Sequence, residues 1–371
     1  MDVGRTIVAR DTRTATEGAG AWLDALLDPE IDRALAELAP EAPLLSTMAR
    51  YHLGLIDSTG QPLPDPDRRA VQGKRIRPAL AVLSCMASGG SAEAAAPLAA
   101  GIELLHNFTL VHDDIQDRSP NRRHRATVWR IWGDAQAINA GDALFAASNL
   151  AVLATATATA TTPTEAVPAT TIHTLLAEFN RMTIAIVGGQ VRDLDFEGKG
   201  SVRPEDYLEM ITGKTAAILR YAAWAGSIVG GADADRAEAF ARMGLALGIG
   251  FQIRDDFLGI WGTREETGKE VADDIRRRKQ SLPILLLRAE ATADERAMLD
   301  TLYAGDEIDA AGIDTVLALL DAHGIRQQVE ERVESSHRDA IDALDSIGTP
   351  GANEALAAIA DLIERMRVRS S

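Results

Sequence analysis

The sequence predicts an all-α fold, and three observations support that prediction. Alanine is abundant, apolar residues recur at spacings of three and four, and no alternating strand pattern of comparable length appears. Charged residues make up 25% of the chain and aromatic residues only 4%. A chain of 371 residues exceeds the usual single-domain size. We nevertheless expect one helical domain, because a helical enzyme built around one cavity can reach that length.

The apolar spacing places the main elements in order. Residues 97–112, 136–154, 173–191 and 236–260 have the clearest helical pattern. The Ala/Thr stretch 151–171 contains Pro163 and Pro168, so we expect it to end one helix in a flexible connection. Residues 198–204 and 262–267 are predicted to be loops. Residues 1–18 are polar and predicted to form a flexible arm, so the domain is expected over residues 19–371.

Two aspartate clusters are the most informative feature of the chain. Asp113 and Asp117 are four residues apart, so both carboxylates project from one helical face, about one turn apart. Asp114 belongs to the same cluster, and Asp255 with Asp256 forms the second. Hard carboxylate ligands that leave room for substrate phosphates suit Mg²⁺, with Mn²⁺ as a substitute. The clusters therefore predict a metal-dependent site for a phosphate ester or diphosphate.

The sequence around the clusters distinguishes this prediction from an ordinary solvated acidic face. Apolar residues precede both clusters, among them Leu104, Leu105, Leu245 and Leu247. A helix that carries carboxylates into an apolar interior needs a compensating charge, because an unpaired buried carboxylate is very costly. Metal ions are the simplest compensation. His106 and His112 lack the further cysteine and histidine ligands that a zinc site requires.

Basic residues are grouped where a phosphate site needs them. Lys74 and Arg77 are three residues apart and can face together, and Arg122 and Arg123 follow the first acidic cluster. Arginine suits bidentate contact with phosphate oxygens, whereas lysine acts as a mobile point charge. Residues 276–278 are three arginines, which we interpret as a surface patch.

The motifs together resemble the trans-isoprenyl diphosphate synthases, also called polyprenyl synthetases. The resemblance runs in the family's order over roughly residues 70–285. Its segments are residues 73–78 (Gly-Lys-Arg-Ile-Arg-Pro), 103–106, 113–117, 122–123, 189–190, 214–215, 251–256, 267–269 and 279–283. It implies a helical bundle of the isoprenoid synthase type around a central cavity, working as a homodimer.

The resemblance also implies roles for individual residues. Isopentenyl diphosphate would be held by Lys74, Arg77, His106 and Arg123. The allylic diphosphate (dimethylallyl, geranyl or farnesyl) would be held through Mg²⁺ on the aspartates and contacted by Arg122, Lys214 and Lys269. Lys279 would be a further substrate-binding residue. Thr215 and Gln252 would direct oxygen dipoles at the carbocation left when diphosphate departs. The double bond of isopentenyl diphosphate would then attack that carbocation.

Two positions depart from the family pattern. The second cluster ends in Gly259, where many members have a third aspartate. The arginine segment has His124 and Ala126, where the common form has glycine and proline. The first departure also occurs in bacterial members of the family. The second bears on the details of the allylic site.

Product length is expected to depend on Phe108 and Thr109. At 1.5 Å per residue they lie roughly 6–8 Å along the helix from Asp113, where a growing chain would meet them. By resemblance, a bulky residue at 108 with a smaller one at 109 is similar to a geranylgeranyl diphosphate synthase. Phe108 as ordinary core, and a farnesyl or longer product, remain alternatives.

The remaining features narrow the function class. A net charge of −17 argues against nucleic-acid partners. One cysteine, Cys85, excludes a disulfide within the chain and favours the cytoplasm. We expect neither a signal peptide nor a transmembrane segment, because no sufficiently long apolar run appears.

Two other functions, a terpene cyclase and a non-catalytic subunit, are compatible with this scaffold. A terpene cyclase would not need the isopentenyl set of Lys74, Arg77, His106 and Arg123. A non-catalytic subunit of a heteromeric synthase would typically lack aspartates of the first cluster, which is complete here. Both comparisons favour a prenyltransferase.

Overall fold

The structure, a computed structural model, describes residues 12–40, 42–157, 167–196, 202–264, 271–305 and 307–368. Within these ranges α-helices predominate. The helices are α1 (Thr12–Ala36), α2 (Pro43–His52), α3 (Asp65–Val71), α4 (Ile76–Ala87), α5 (Ala92–Gln116), α6 (Val128–Trp132), α7 (Asp134–Ala154), α8 (Ala169–Phe196), α9 (Pro204–Ile211), α10 (Ala217–Val229), α11 (Ala234–Trp261), α12 (Asp273–Arg276), α13 (Leu282–Glu290), α14 (Ala293–Ala304), α15 (Ala310–Ala322), α16 (Ile325–Ile347) and α17 (Glu354–Val368).

Three short segments and one hairpin complete the described secondary structure. The segments are a π-helical turn at Thr212–Ala216 and 3₁₀ turns at Thr155–Thr157 and Pro350–Ala352. The hairpin pairs β1 (Asn121–Arg122) with β2 (Arg125–Ala126) in antiparallel register. This hairpin is not predictable from the sequence pattern, because two-residue strands are too short to show alternation.

The predicted all-α fold is confirmed. The four predicted helices lie within α5, α7, α8 and α11, each of which extends a few residues further. Of the predicted flexible connection, residues 158–166 lie outside the described residues, as do 197–201 and 265–270 of the two predicted loops and their surroundings.

The predicted N-terminal arm overlaps a helix. α1 begins at Thr12, so residues 12–18 of the arm are helical, and residues 1–11 lie outside the described ranges. The described chain also divides into two compact units, where the sequence analysis expected one domain over 19–371. The first unit takes the residues up to Glu178 together with Ala225–Asp233, and the second takes Phe179–Trp224 and the residues from Ala234 onward. Each unit is described by itself below.

Helix α5 is the centre of the first unit, where it packs against α1, α4 and α7. Ser91 caps its first turn by accepting a hydrogen bond from the Ala94 amide. The seam with α7 is made of small residues: a Cβ on Gly101 would lie 2.8 Å from Val152 Cγ2 and 2.9 Å from the Ser148 carbonyl oxygen. The abundance of alanine and glycine therefore has a packing cause, since small residues let these two helices approach closely.

The second unit has its own apolar core around the C-terminal half of α11. Ile253, Phe257 and Ile260 are buried there among side chains of α9, α13, α15 and α16. Phe257 also stacks on Trp261, with ring centroids 4.9 Å apart. Because Asp255 and Asp256 lie on the same helix, this core fixes where their carboxylates point.

Two described helices, Ala92–Gln116 and Asp134–Thr157 with its 3₁₀ turn, are long and apolar enough to cross a membrane by length and composition. In the first helix 72% of the apolar window is buried inside the protein, and in the second 50%. Core helices of soluble proteins meet the same criterion. The expected absence of a transmembrane segment thus stays a prediction.

The α5–α7 seam predicts that Gly101→Ala destabilises the protein. An added methyl group must push Val152 or the Ser148 backbone aside, so we expect a loss of about 1–3 kcal/mol in the free energy of unfolding. The matched control is Gly188→Ala in α8, where an added Cβ meets nothing within 4 Å. That change should stabilise by about 0.4–1 kcal/mol. Denaturant unfolding measures the stability of both variants. Equal changes in the free energy of unfolding would contradict the close packing of α5 against α7 at Gly101.

Candidate functional site

The first aspartate cluster lies at the C-terminal end of α5. Asp113 and Asp114 are in its last turn and Asp117 is its C-cap residue. This end of a helix carries partial negative charge, so three carboxylates there are unfavourable unless cations compensate them. Asp113 is half-buried and Asp117 exposed, whereas Asp114 is only 2% exposed.

The carboxylate of Asp114 is paired with the guanidinium group of Arg122. The Arg122 Nε lies 2.8 Å and 3.0 Å from the two carboxylate oxygens, and Nη2 lies 2.8 Å from Oδ1. Such a forked arrangement is among the stronger ion pairs in proteins. Burial nevertheless raises the pKa of Asp114 above its ordinary value. Within the cluster, Asp114 therefore orients Arg122, whereas the side chains of Asp113 and Asp117 are more accessible.

The hairpin β1–β2 positions Arg122 and Arg123. Its two turn residues, Arg123 and His124, have φ of 50° and 63°, the left-handed pattern of a type I′ turn. Glycine would adopt these angles without strain, so His124, one of the two departures from the family pattern, is held there by tertiary contacts. The hairpin thus holds a histidine in a backbone conformation that favours glycine.

Helix α2 supplies the contacts that hold the hairpin. The Tyr51 hydroxyl donates to the Ala126 carbonyl at 2.8 Å. Arg125 donates to the carbonyls of Tyr51 and Ile56 at 3.1 Å and 2.8 Å, and its guanidinium lies 3.9 Å from the centre of the Tyr51 ring. Arg125 is therefore structural, while its neighbours Arg122 and Arg123 remain oriented toward other partners.

The segment Gly73–Pro78 contacts the hairpin through Arg123. A Cβ on Gly73 would lie 2.6 Å from Arg123 Nη2, so a side chain here would displace this guanidinium from its position. Arg123 also donates to the Val71 carbonyl at 3.4 Å. The glycine of the motif thus has a steric reason.

Arg75, in the middle of the same segment, is an anchor. Its backbone is left-handed, with φ of 48°, and its buried guanidinium donates to Asp24 and Asp28 of α1 at 2.9 Å each. The candidate substrate residues flank it, with Lys74 exposed and Arg77 half-buried in the first turn of α4. The ion pairs with α1 therefore fix the backbone between the two candidates.

Three arginine side chains lie near enough to His106 in the first unit to affect its pKa. Burial, and then the nearby charges of Arg77, Arg123 and Arg122, hold the pKa of His106 well below its ordinary value. The imidazole is consequently neutral at neutral pH. Burial also lowers the pKa of Arg123, an effect that the buried Glu103 opposes. Three predicted substrate residues, Arg77, His106 and Arg123, thus share one environment.

The two candidate chain-length residues lie one turn before the cluster. The Phe108 ring packs edge-on against His112 and tilted against Phe145 of α7, at centroid distances of 4.9 Å and 5.4 Å. The Thr109 hydroxyl donates to the His106 carbonyl at 2.7 Å. Both side chains are half-buried. Their role in product length stays a prediction.

In the second unit, Lys214 and Thr215 lie in the π-helical turn Thr212–Ala216. Such turns are rare and often occur at functional sites. Glycines make this one possible: a side chain on Gly189 would collide with the Lys214 backbone, and a Cβ on Gly213 would lie 2.7 Å from the Ala185 carbonyl oxygen. Lys214 Nζ forms an ion pair with Asp193 at 2.5 Å.

A hydrogen-bonded chain links Thr215 to the second aspartate cluster. The Thr215 hydroxyl donates to Gln252 Oε1 at 2.9 Å, and Gln252 Nε2 donates to Asp256 Oδ1 at 3.3 Å. The two residues that the family resemblance assigns to stabilising the carbocation are therefore direct neighbours. Both depend on Asp256 for their orientation.

Asp256 is completely buried and has donors on every side. The Leu282 amide donates to Oδ2 at 3.0 Å, the Tyr207 hydroxyl donates to the same oxygen, and Lys279 Nζ lies 3.3 Å from Oδ1. Burial opposes the charge of Lys279, but Asp256, Asp274 and Asp255 together raise the pKa of Lys279 above its ordinary value. Asp256 therefore connects α9, α11 and α13 instead of facing solvent.

Asp255 is the exposed member of the second cluster. The pattern of the first cluster is thus repeated: one aspartate of the adjacent pair is buried and satisfied by the protein, and the other is accessible. Among the residues that the structure describes, no group of three His, Cys, Asp or Glu side chains could hold a metal ion by itself. Metal binding by the two aspartate clusters stays a prediction.

The structure gives Gly259 a physical explanation. A side chain at this position would collide with the carboxylate of Asp274, which is buried and lies 3.4 Å from Lys279 Nζ. The space of the family's third aspartate side chain is therefore already taken by another carboxylate. The motif alone cannot reveal that Asp274 occupies this space, because Asp274 is 15 residues further along the chain.

The remaining candidates divide between described and undescribed residues. Lys269 lies outside the described residues. Of the three arginines at 276–278, Arg277 is paired with Asp273 and Arg278 donates to carbonyls of Tyr303 and Gly305. These two contacts are structural, in line with the interpretation of a surface patch.

Sequence reasoning did not identify several residues that organise the two units. Most of them are single polar residues outside the motifs, so only the contact reveals the role of each. The missed residues are His52, Asp193, Tyr207 and Asp274, together with the anchoring roles of Arg75 and Arg125.

The contrast between the adjacent aspartates predicts that their substitution changes stability by very different amounts. Asp256→Ala leaves Tyr207, Lys279 and the Leu282 amide without their shared acceptor, so we expect a loss of about 3–5 kcal/mol in the free energy of unfolding. Asp255→Ala is the matched control, and because its side chain is exposed the change should stay within about 0.5 kcal/mol. Chemical denaturation measures both. Similar losses of stability in the two variants would refute the assignment of Asp256 as the aspartate that holds the fold together.

Comparison with known proteins agrees with these features. The polyprenyl synthetase family model matches residues 67–320. A (2E,6E)-farnesyl diphosphate synthase of Mycobacterium bovis is 34% identical over 311 residues, 83% of this chain and 82% of that protein. A geranylgeranyl diphosphate synthase of Mycobacterium tuberculosis is 35% identical over 312 residues, 81% and 83% of the two chains.

A solved structure shows the same fold. The crystal structure of a polyprenyl synthetase from Streptomyces coelicolor A3(2) matches with a TM-score of 0.79 and 33% identity, covering 94% of this chain and 99% of that one. The family match spans well over half of the sequence, and it includes both aspartate clusters and the arginine hairpin. The family resemblance found in the sequence is thereby confirmed, and the chain belongs to the polyprenyl synthetase family.

Proposed function

We propose that this enzyme condenses isopentenyl diphosphate with dimethylallyl, geranyl and farnesyl diphosphate, and that its product is trans-geranylgeranyl diphosphate. The family identifies an isoprenyl diphosphate synthase, and relatives named for farnesyl and for geranylgeranyl diphosphate are about equally similar. One observation carries the proposal: each unit has an accessible carboxylate directly beside a buried one that the protein itself satisfies. Carboxylates kept accessible in this way suit metal-bound diphosphate.

The carboxylates of Asp113, Asp117 and Asp255 are the proposed ligands for Mg²⁺, for which Mn²⁺ can substitute. When bound, Mg²⁺ neutralises the diphosphate and stabilises the charge that develops on the leaving group. Asp114 and Asp256, also candidates from the sequence, instead orient Arg122, Gln252 and Lys279 through the contacts described above. They affect the metal through these neighbours.

The cations divide between the two substrates in this proposal. Lys74, Arg77, His106 and Arg123 bind isopentenyl diphosphate, which needs no metal because these groups supply the positive charge. The allylic diphosphate is bound by Arg122, Lys214, Lys269 and Lys279. Arg122 has five N–H donors, so it can hold Asp114 through Nε and Nη2 and still bind phosphate through Nη1.

In this proposal the reaction proceeds in three steps. The allylic C–O bond breaks, diphosphate leaves with the electron pair, and the double bond of isopentenyl diphosphate attacks the allylic carbocation. A proton lost from the adduct to the departed diphosphate restores a double bond. Thr215 and Gln252 present oxygen dipoles to the cation, and their hydrogen bond to each other keeps both oriented. Water must be excluded, since it would quench the cation.

We further propose a cytoplasmic homodimer. An exposed aliphatic face on α8, formed by Ile184, Val187, Val191 and Leu194 at helical spacing, supports a partner surface. The single cysteine supports a reducing compartment. Burial raises the pKa of the Cys85 thiol to about 12, which makes it unreactive.

The proposed activity is tested with purified protein, isopentenyl diphosphate and each allylic primer, with products identified by mass spectrometry. We expect prenyl diphosphate in Mg²⁺ and none with a chelator. Asp113→Ala, Asp117→Ala and Asp255→Ala should each lower kcat/KM by at least ~3–4 kcal/mol of transition-state stabilisation, or about 100- to 1000-fold. The control is Asp314→Ala, an exposed residue of α15.

Three outcomes would count against the proposal. Full activity in chelator or in Asp113→Ala would exclude the metal-dependent mechanism. A cyclic hydrocarbon made from geranylgeranyl diphosphate without isopentenyl diphosphate would indicate a terpene cyclase. Activity that appears only when another subunit is added would indicate a heteromeric synthase.

Product length is predicted to follow the residues one turn before the first cluster. Phe108→Ala removes the ring that packs on Phe145 and His112, so the pocket should deepen and the product lengthen. Thr109→Phe should fill the pocket and shorten the product toward farnesyl diphosphate. Phe108→Tyr keeps the bulk and serves as the control. Unchanged product length in both folded variants would place the end of the pocket elsewhere.

A further inference from the structure

A small pocket in the first unit has a lining rich in hydrogen-bond donors. It lies beside the first aspartate cluster and the arginine hairpin. Its lining residues are Tyr51, His52, Val71, Asp114, Arg122, Arg123, Arg125, Ala126 and Thr127. The one carboxylate in this lining, Asp114, is already bound by Arg122. The lining therefore has three guanidinium groups and few side-chain acceptors to oppose them.

His52, the last residue of α2, is the member of this lining that no motif or hydrogen bond explains. Its Nε2 is buried and has no hydrogen-bond partner among the described residues. Burial of such a nitrogen without a partner is unfavourable, and most buried polar groups in proteins are satisfied. An orphan nitrogen beside a pocket suggests that its partner is a bound molecule.

The chemistry of the neighbours determines what that partner is. Burial, and then Arg122, Arg123 and Arg125, lower the pKa of His52 to about 3, so the ring is neutral near pH 7. The three arginines can only donate, and their protein acceptors are Asp114 for Arg122, the Val71 carbonyl for Arg123, and the Tyr51 and Ile56 carbonyls for Arg125. The group that completes this environment must bring acceptor oxygens and negative charge. A phosphate or diphosphate satisfies both conditions.

A neutral donor also has an advantage at this position. A fourth cation next to three arginines would increase repulsion in the unliganded protein. An imidazole N–H instead adds a hydrogen bond to an anion without adding charge. The metal alternative does not fit, because the lining holds no carboxylate other than the one Arg122 occupies.

We propose that His52 binds the diphosphate group of isopentenyl diphosphate directly, with Nε2–H donating to a phosphate oxygen beside Arg123. This inference rests on the proposed function for the name of the substrate, and on the pocket alone for the class of ligand. It extends the isopentenyl set by a residue from α2, the helix that also anchors the arginine hairpin through Tyr51.

The test is calorimetric titration with inorganic diphosphate in the presence of EDTA, where binding through metal on the aspartates is removed. His52→Phe keeps the volume of the ring and removes the donor, so affinity should fall at least tenfold. His52→Gln keeps an N–H donor and should remain within about threefold of the parent protein. The matched control is His173→Phe, which changes an exposed histidine of α8 and should have no effect.

Steady-state kinetics add a second measurement. His52→Phe should raise KM for isopentenyl diphosphate at least tenfold, with little change in kcat or in KM for the allylic primer. Parent affinity in His52→Phe would overturn the proposal. Equal losses in His52→Phe and His52→Gln would also overturn it, because the N–H would then not be the relevant feature.

A spectroscopic measurement keeps the proposal testable if the variants fold poorly. In the protein labelled with ¹⁵N-histidine, the Nε2 signal of His52 should shift on addition of diphosphate, and an unmoved signal would overturn the assignment. The proposed function fails separately: if no condensation occurs but the parent protein binds diphosphate and His52→Phe does not, the anion site stands without the prenyltransferase. If the parent protein binds no diphosphate in EDTA, the His52 proposal is wrong.

Discussion

Charge compensation of the two buried aspartates is the constraint on which both units depend. Asp114 and Asp256 are 2% and 0% exposed, and a carboxylate at that depth is stable only when donors surround it. The first is held by the fork of Arg122, and the second by Tyr207, Lys279 and the Leu282 amide. Meeting this requirement draws the cationic residues next to the acidic clusters. The same contacts leave the neighbouring aspartates accessible. In each adjacent pair, one aspartate therefore stabilises the fold while the other stays accessible.

Close backbone approach is the second organising feature, and it explains several glycines of the motifs. Gly73 leaves room for the Arg123 guanidinium, and Gly189 and Gly213 let α8 meet the π-helical turn that carries Lys214. Gly259 leaves room for the Asp274 carboxylate. In each case the absence of a side chain on the glycine makes room for a charged residue or for the backbone that carries it. Motif glycines in this chain therefore position functional groups instead of only permitting turns.

Left-handed backbone at charged or polar positions is a source of local strain in the first unit. Arg75, Arg123 and His124 have φ between 48° and 63°, a region that side chains rarely adopt. Strain of this kind persists only when surrounding contacts fix it. Here Asp24 and Asp28 hold Arg75, and the Tyr51–Ala126 hydrogen bond holds the hairpin. Helices α1 and α2, outside the recognised motifs, thus fix the backbone that carries the candidate substrate-binding residues Lys74, Arg77 and Arg123.

The sequence by itself determined the fold class, the family and most of the candidate site residues. Helical periodicity is local, and the aspartate and arginine motifs are short, so both can be recognised without three-dimensional information. The four strongest helices were predicted within a few residues of their ends. The hairpin at Asn121–Ala126 was not, because its strands are too short for a pattern.

Tertiary structure alone decided which residue of each pair of aspartates is accessible. Asp113 and Asp114, like Asp255 and Asp256, are identical in chemistry and adjacent in sequence. The difference arises from partners far along the chain, such as Tyr207, which is 49 residues from Asp256. The roles of His52, Arg75 and Asp274 depend in the same way on distant contacts and on burial. Sequence patterns report local spacing, whereas the charge state and accessibility of a side chain depend on what the folded chain places around it.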